Sequence, residues 1–203
     1  MRLKIVFIAF WMALGVSSTL RAERPNGAFQ TVDKHKSNTV KVDPDVKWTG
    51  FGSIVPMPAV YDPSKPGRKL TEKQEEKVRA AVDASLEATF PQAANRAGRV
   101  LEVRPVITEV RRALPWVNAL SFAAVQAPVS YGGASVRYEL YDAETGAQVG
   151  EIVSKRCAGP FNIYPWQLLQ AFQPVAHAST ILKRDSKMLR KDLRRIEGAQ
   201  GAR

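Results

Sequence analysis

The chain has 203 residues, 45% hydrophobic and 24% charged, with 30 Lys and Arg against 19 Asp and Glu for a formal net charge of +11. That length holds one domain of ordinary size whose core needs no staples, and a lone cysteine, Cys157, excludes an intramolecular disulfide framework. The positive surplus can keep anionic partners near the surface but is silent on fold.

At the start, Arg2 and Lys4 precede an apolar run from Ile5 to Val16, then Ser17-Ser18-Thr19-Leu20-Arg21-Ala22. A basic start, an apolar run of about a dozen residues and a small residue at the cut are the marks of a secretory leader. Residues 1–22 are therefore expected to be a signal peptide, cut after Ala22 or, alternatively, after Ser18. The apolar run is short of the ~20 residues a membrane span needs.

Residues 23–45 are polar, with Pro25, Gly27 and Pro44, and read as an extended arm leading into the domain. His35 lies between Lys34 and Lys36, where the charges repel a cation and no second ligand stands at suitable spacing. A first strand is expected over Val46 to Val55, where Trp48, Gly50, Gly52 and Ile54 share one face. Its aromatic rings suit a core better than stacked bases, because lysines do not interleave with them. Pro56, Pro58, Pro63 and Pro66 then interrupt regular structure.

Thr71-Glu72-Lys73-Gln74 has the form of a capping box. The helix it opens places Val78, Val82, Leu86 and Thr89 on one stripe, limited by Pro91. Gly98 precedes a strand in which Leu101 and Val103 hold one phase while Val106, Thr108 and Val110 hold the other. Pro105 stands at the change, so a bulge or an edge position is expected there.

The connection 113–133 carries no charge and includes Trp116, Val117, Leu120, Phe122 and Val125. Such a stretch cannot lie open to water without consequence. It covers the core, forms a subunit or partner interface, or touches lipid. Asn118, Gln126, Pro128 and the glycine pair make it unsuited to a spanning helix. A hairpin follows: Val136, Tyr138 and Leu140 alternate with Ser135, Arg137, Glu139 and Tyr141. Asp142-Ala143-Glu144-Thr145-Gly146 turns the chain, which returns through Val149, Ile152 and Val153.

Cys157 reads as a small hydrophobe at a strand end; as a nucleophile it would need a base, and nothing ties His35 or His177 to it. Trp166, Leu169, Phe172 and Val175 recur at helical spacing before a last stripe of Leu182, Leu189, Leu193 and Ile196. From Lys183 onward there are eight basic and three acidic residues. Lys187, Arg190, Lys191, Arg194 and Arg195 are the candidate contacts to an anionic surface. The plainer reading is a solvated charged face on a helix that packs by its leucines.

Val103-Arg104-Pro105-Val106-Ile107-Thr108-Glu109-Val110, then Pro115 and Asn118, then Gly132-Gly133-Ala134-Ser135-Val136 and Tyr138 through Gly146 resemble a bacterial family of domains of unknown function, DUF3313. The resemblance spans roughly Val46 to Leu182. It implies a protein of the Gram-negative envelope, since members of the family are mostly described as lipoproteins, and it brings no catalytic residues. This chain departs from a lipoprotein pattern in having no cysteine at the cut site to carry a lipid.

No HExxH, paired-cysteine site, phosphate loop or GxSxG elbow is present. Glu102, Glu109, Glu139, Asp142 and Glu144 fall on strand faces or in a turn, where solvated charge is the ordinary role. The expectation is one α/β domain of α+β type over 46–182, a small mixed or antiparallel sheet with helices on one side, and a basic helix and tail over 183–203. No enzyme activity, cofactor or metal is expected. The expected role is a periplasmic or outer-membrane-associated protein that binds another envelope protein or itself. The alternative is a basic protein binding nucleic acid or anionic lipid through its C-terminal helix, nucleic acid being the less suited.

Overall fold

The computed structural model describes residues 29–35, 38–63, 70–91, 98–111, 133–157 and 176–201, with Leu114, Leu120, Ser121, Ala123 and Ala124 besides. Seven strands form one mixed sheet: β1 (Gln30–His35), β2 (Asn38–Val42), β3 (Phe51–Pro56), β4 (Val60–Tyr61), β5 (Arg99–Arg111), β6 (Gly133–Asp142) and β7 (Gln148–Cys157). Their order is β1-β2-β7-β6-β5-β3, with β4 pairing β5 beyond the end of β3. Pairing is antiparallel from β1 to β5 and parallel where β3 and β4 meet β5. Helices α1 (Glu72–Thr89) and α2 (Ala176–Gly201) close a single core with one face of the sheet, which makes the fold α+β.

Local chemistry accounts for these elements. Thr71 Oγ1 accepts from the Gln74 amide at 3.3 Å and Gln74 Oε1 accepts from the Thr71 amide at 3.2 Å, a complete capping box. Glu72 and Glu75 add negative charge where the helix dipole is positive. The stripe of Val78, Val82, Leu86 and Thr89 is buried as the spacing predicts. In the hairpin, Val136, Tyr138 and Leu140 are each at most 1% exposed. Gly146 turns the chain at a φ of 66°, which a side chain would resist.

Three expectations change. The stretch 23–45 is not an arm throughout, because from Gln30 it forms the β1–β2 hairpin, and Val40 and Val42 enter the core. Trp48 belongs to a 3-10 turn, Trp48–Gly50, rather than to the strand, which starts at Phe51. The bulge in β5 falls at Thr108, between the Ile107 and Glu109 pairings, and not at Pro105. Val103 and Ile107 carbonyls accept from the Met57 and Asp62 amides, at 2.8 and 3.0 Å, along the β3–β4 edge. By alternation the Pro105 nitrogen, which has no hydrogen to donate, faces that same edge at the gap between the end of β3 and the start of β4. The core phase thus runs unbroken through Leu101, Val103, Pro105 and Ile107, and Val110 rejoins it after the bulge.

α2 is one continuous helix, so the basic tail is not separate from the domain. Leu182, Leu189, Leu193 and Ile196 are 3% exposed or less, and burial of each is worth roughly 1.5–3 kcal/mol. One polar anchor sits among them. Asp185, 3% exposed, accepts from Tyr138 Oη at 3.0 Å, Ser154 Oγ at 2.6 Å and Arg156 Nε at 2.8 Å. Burial, then the Asp185 charge and hydrogen bond, push the Tyr138 hydroxyl well above its ordinary pKa, against the opposing Arg156, so it remains a donor.

Asp185→Ala would strand a half-buried guanidinium and two buried hydroxyls, and is expected to cost about 3 kcal/mol in urea denaturation. Tyr138→Phe, which removes one donor only, is expected to cost about 1 kcal/mol. Equal losses from the two would mean that Asp185 is not the anchor.

Candidate functional site

The helical repeat sorts the charges of α2. Asp185 and Asp192 stand seven residues apart, two turns along one side, and both point into the protein. Asp192, 3% exposed, accepts from Asn38 Nδ2 at 2.5 Å and lies 3.9 Å from Arg195, which also reaches Asp33 at 3.3 Å. Burial raises the Asp192 pKa, with Asn38 and Arg195 opposing. On the opposite side Lys183, Arg184, Lys187, Lys191 and Arg194 are exposed. None of these five has an acidic partner among the described residues.

Arg190 is half-buried, its guanidinium 5.4 Å from the centre of the Phe90 ring. It marks a cleft of about 510 Å³ between β3, the end of α1 and the second half of α2. Phe51, Phe90 and Leu193 give this cleft apolar walls; Ser53, Thr89, Arg190, Arg194 and Glu197 give it polar ones. Thr89 donates to Ser186 Oγ at 3.2 Å, and Ser186 also meets Ser85 at 2.5 Å, so a line of hydroxyls joins α1 to α2. Gly98, at a φ of 140°, closes against Gly52, and a Cβ there would sit 2.9 Å from the Gly52 nitrogen.

The other face of the sheet is charged but largely self-neutralised. Lys41 pairs with Glu151 at 3.3 Å, Arg137 with Glu139 at 3.0 Å and Arg111 with Glu109 at 2.8 Å. Such pairs contribute about 0–1 kcal/mol each. Tyr141 donates to Glu139 at 3.0 Å, and burial, then Glu139, raise its pKa. Asp142, 1% exposed, differs from the other carboxylates: it pairs with Arg99 and accepts from the Glu144 amide at 3.1 Å. Burial pushes its carboxyl up, but the Arg99 hydrogen bond and charge and the Glu144 amide outweigh burial and leave it below its ordinary value. The strand carboxylates thus have structural partners rather than a shared reacting point.

Among the candidate anionic contacts, Lys187 and Lys191 share the outer face, Arg194 stands between that face and the cleft it lines, Arg190 turns into the cleft and Arg195 ties α2 to β1. Of the candidate interface, Leu120 is described and 64% exposed; Trp116, Val117, Phe122 and Val125 lie outside the described residues, as do Trp166, Leu169, Phe172 and Val175. His35, Cys157 and His177 fall in β1, β7 and α2, their side chains outside the described set. Among the described residues no group of three or more His, Cys, Asp or Glu could hold a metal ion, and no helix is long and apolar enough to cross a membrane.

Sequence reasoning missed the cleft. Its walls come from 51–54, 89–91 and 190–197, three segments that nothing in one dimension brings together. The one available signal was Arg190 and Arg194 at a spacing of four, with Leu193 between them.

Fold and site together define a small α+β domain with one strongly basic helix face and a cleft beside it. Residues 29–178 match the model of a protein family of unknown function, DUF3313, and the chain belongs to that family. No curated protein matches the sequence. Among solved structures, a single-residue variant of the PelC dodecamer from Paraburkholderia phytofirmans is 14% identical, with 72% of this chain and 97% of that one covered, at a TM-score of 0.36. A hypothetical protein from Chlamydia trachomatis is 12% identical over 75% and 99% of the two chains, at 0.33. A predicted lipoprotein from Caulobacter crescentus is 16% identical over 70% and 93%, at 0.28. Likeness at this distance says nothing of a shared activity.

The depressed Asp142 carboxyl gives a sign. Its contribution to stability is fully present above the ordinary carboxylate pKa and is lost as pH falls through its lowered value. Asp192, raised, acts oppositely: stability drops as pH rises from the ordinary carboxylate value through the raised one. Asp142→Asn is therefore expected to lower stability at neutral pH and to flatten the acid limb of a melting-temperature profile. An acid limb unchanged in slope would show that Arg99–Asp142 does not set it.

Proposed function

We propose that this is a non-enzymatic protein of the Gram-negative envelope, periplasmic and peripheral on the outer membrane, that binds another envelope component. The basic face of α2 is where its anionic partner docks. The observation that carries this reading is the segregation of charge on α2. Asp185 and Asp192 are withdrawn into the protein, so Lys183, Arg184, Lys187, Lys191 and Arg194 face outward with no acidic partner among the described residues. The leader-like first 22 residues and membership of the family support the compartment.

α2 is committed by its leucines to the core and cannot also insert an apolar face into a bilayer. Its contact with an anionic surface is electrostatic, with the helix lying along that surface. Such an attraction falls off over the Debye length, about 8 Å at physiological salt.

Two measurements test this. N-terminal sequencing of tagged protein from fractionated cells is expected to start at Glu23 in the periplasmic or outer-membrane fraction; recovery from the cytosol with Met1 in place would overturn the compartment. Co-sedimentation of purified protein with anionic vesicles is expected to collapse as salt shortens the Debye length from about 10 Å to about 3 Å. At about 1 kcal/mol per cation near the surface, Lys183→Gln/Lys187→Gln/Lys191→Gln is expected to weaken attachment about 100-fold. Attachment indifferent to both changes would remove α2 as the docking face.

A further inference from the structure

The cleft beside α2 is built differently from the stripe of lysines. Its size falls within the ~300–1,000 Å³ of small-molecule sites, and it joins apolar walls to a paired cationic end. Arg190 and Arg194 stand one turn apart on α2, and the Phe90 ring holds the Arg190 guanidinium in place. Neither arginine has an acidic partner among the described residues. Opposite them, Ser53 is 9% exposed and lines the cleft, where its hydroxyl can meet a ligand. Phe51 and Phe90 offer a surface that a purely polar ion would leave unused.

We propose that this cleft binds a single anionic phospholipid. Its phosphate lies against Arg190 and Arg194, in the charge-assisted hydrogen bonds that guanidinium groups make with phosphate oxygens. Ser53 donates to the head group, and the upper methylenes of the chains lie on Phe51 and Phe90. Glu197, one turn past Arg194 on the rim, opposes the negative head and limits the affinity. The inference rests on the reading of α2 as a face for anionic surfaces and names the lipid that one part of that face would select.

The test is calorimetric titration of the full mature protein with dihexanoyl-phosphatidylglycerol below its micelle concentration, in parallel with glycerol phosphate alone. One lipid per chain is expected, bound at least about tenfold more tightly than the bare head group, because about 1.4 kcal/mol of apolar contact suffices for that factor. Arg190→Gln/Arg194→Gln is expected to weaken binding by about tenfold or more, and Glu197→Gln to tighten it by a few-fold. These opposite signs would not come from a general loss of folding, and Glu197→Gln alone keeps the test open if the double variant does not fold. Glycerol phosphate binding as tightly as the lipid would mean a phosphate site only and would overturn the proposal. So would the absence of lipid binding, or a Glu197→Gln variant that binds less. If the protein attaches to anionic vesicles but takes up no short-chain lipid, the cleft proposal fails and the docking face stands; if it does neither, both fail.

Discussion

The arrangement of this protein depends on one buried carboxylate. Asp185 accepts hydrogen bonds from β6, through Tyr138, and from β7, through Ser154 and Arg156. Leucine side chains hold a helix to a sheet but tolerate sliding and rotation, because apolar contact is non-directional. Three converging donors do not tolerate it. They set where α2 lies along the hairpin and which way it is turned, and a helix turned by a third would bring lysines into the core. Asp192, two turns further on, meets Asn38 and Arg195 and repeats the constraint against the β1–β2 hairpin. The outward direction of the basic side chains follows from these inward acids.

Much of this was legible in the residues. The capping box at Thr71, the stripe from Val78 to Thr89 and the alternation of Val136, Tyr138 and Leu140 are local patterns, and local patterns survive folding when nothing opposes them. The β1–β2 hairpin was missed for a physical reason. Its strands are short and polar, and only Val40 and Val42, alternating with Thr39 and Lys41, carry a period of two. That signal is weak beside the lysines around His35. Of the two readings of Pro105, the bulge lies instead at Thr108, and the edge-like position fits. β5 is central on one side, but its other side is shared by two short strands with a gap between them, and the proline sits at the gap. Nothing within β5 shows that two separate strands flank that position.

The site was legible by halves. Lys187, Arg190, Lys191, Arg194 and Arg195 stood out as a cluster, but the sequence treats them alike. The fold separates them into the outer cations Lys187 and Lys191, two arginines lining the cleft, Arg190 over Phe90 and Arg194, and a structural cation, Arg195, bridging Asp33 and Asp192. Which role each takes depends on what faces it from α1, β1 and β3, and those partners are distant along the chain. A rule based on charge count would overstate the free positive face by including Arg195.

Charge is also unequal across the molecule. On the sheet face away from the helices, Lys41, Arg137 and Arg111 are matched by Glu151, Glu139 and Glu109, so that side carries little net field. On α2 two of the three acids, Asp185 and Asp192, have been taken inside. A protein of net positive charge whose cations are paired on one face and unpaired on another has an electrostatic direction as well as a sign. Approaching a negatively charged surface, it is turned before it touches, with α2 foremost. The torque comes from the unpaired face alone, since the paired face adds equal and opposite terms that cancel within a few ångströms. Burial of two carboxylates, needed to hold a helix in place, therefore also decides which side of the domain carries the unpaired positive charge.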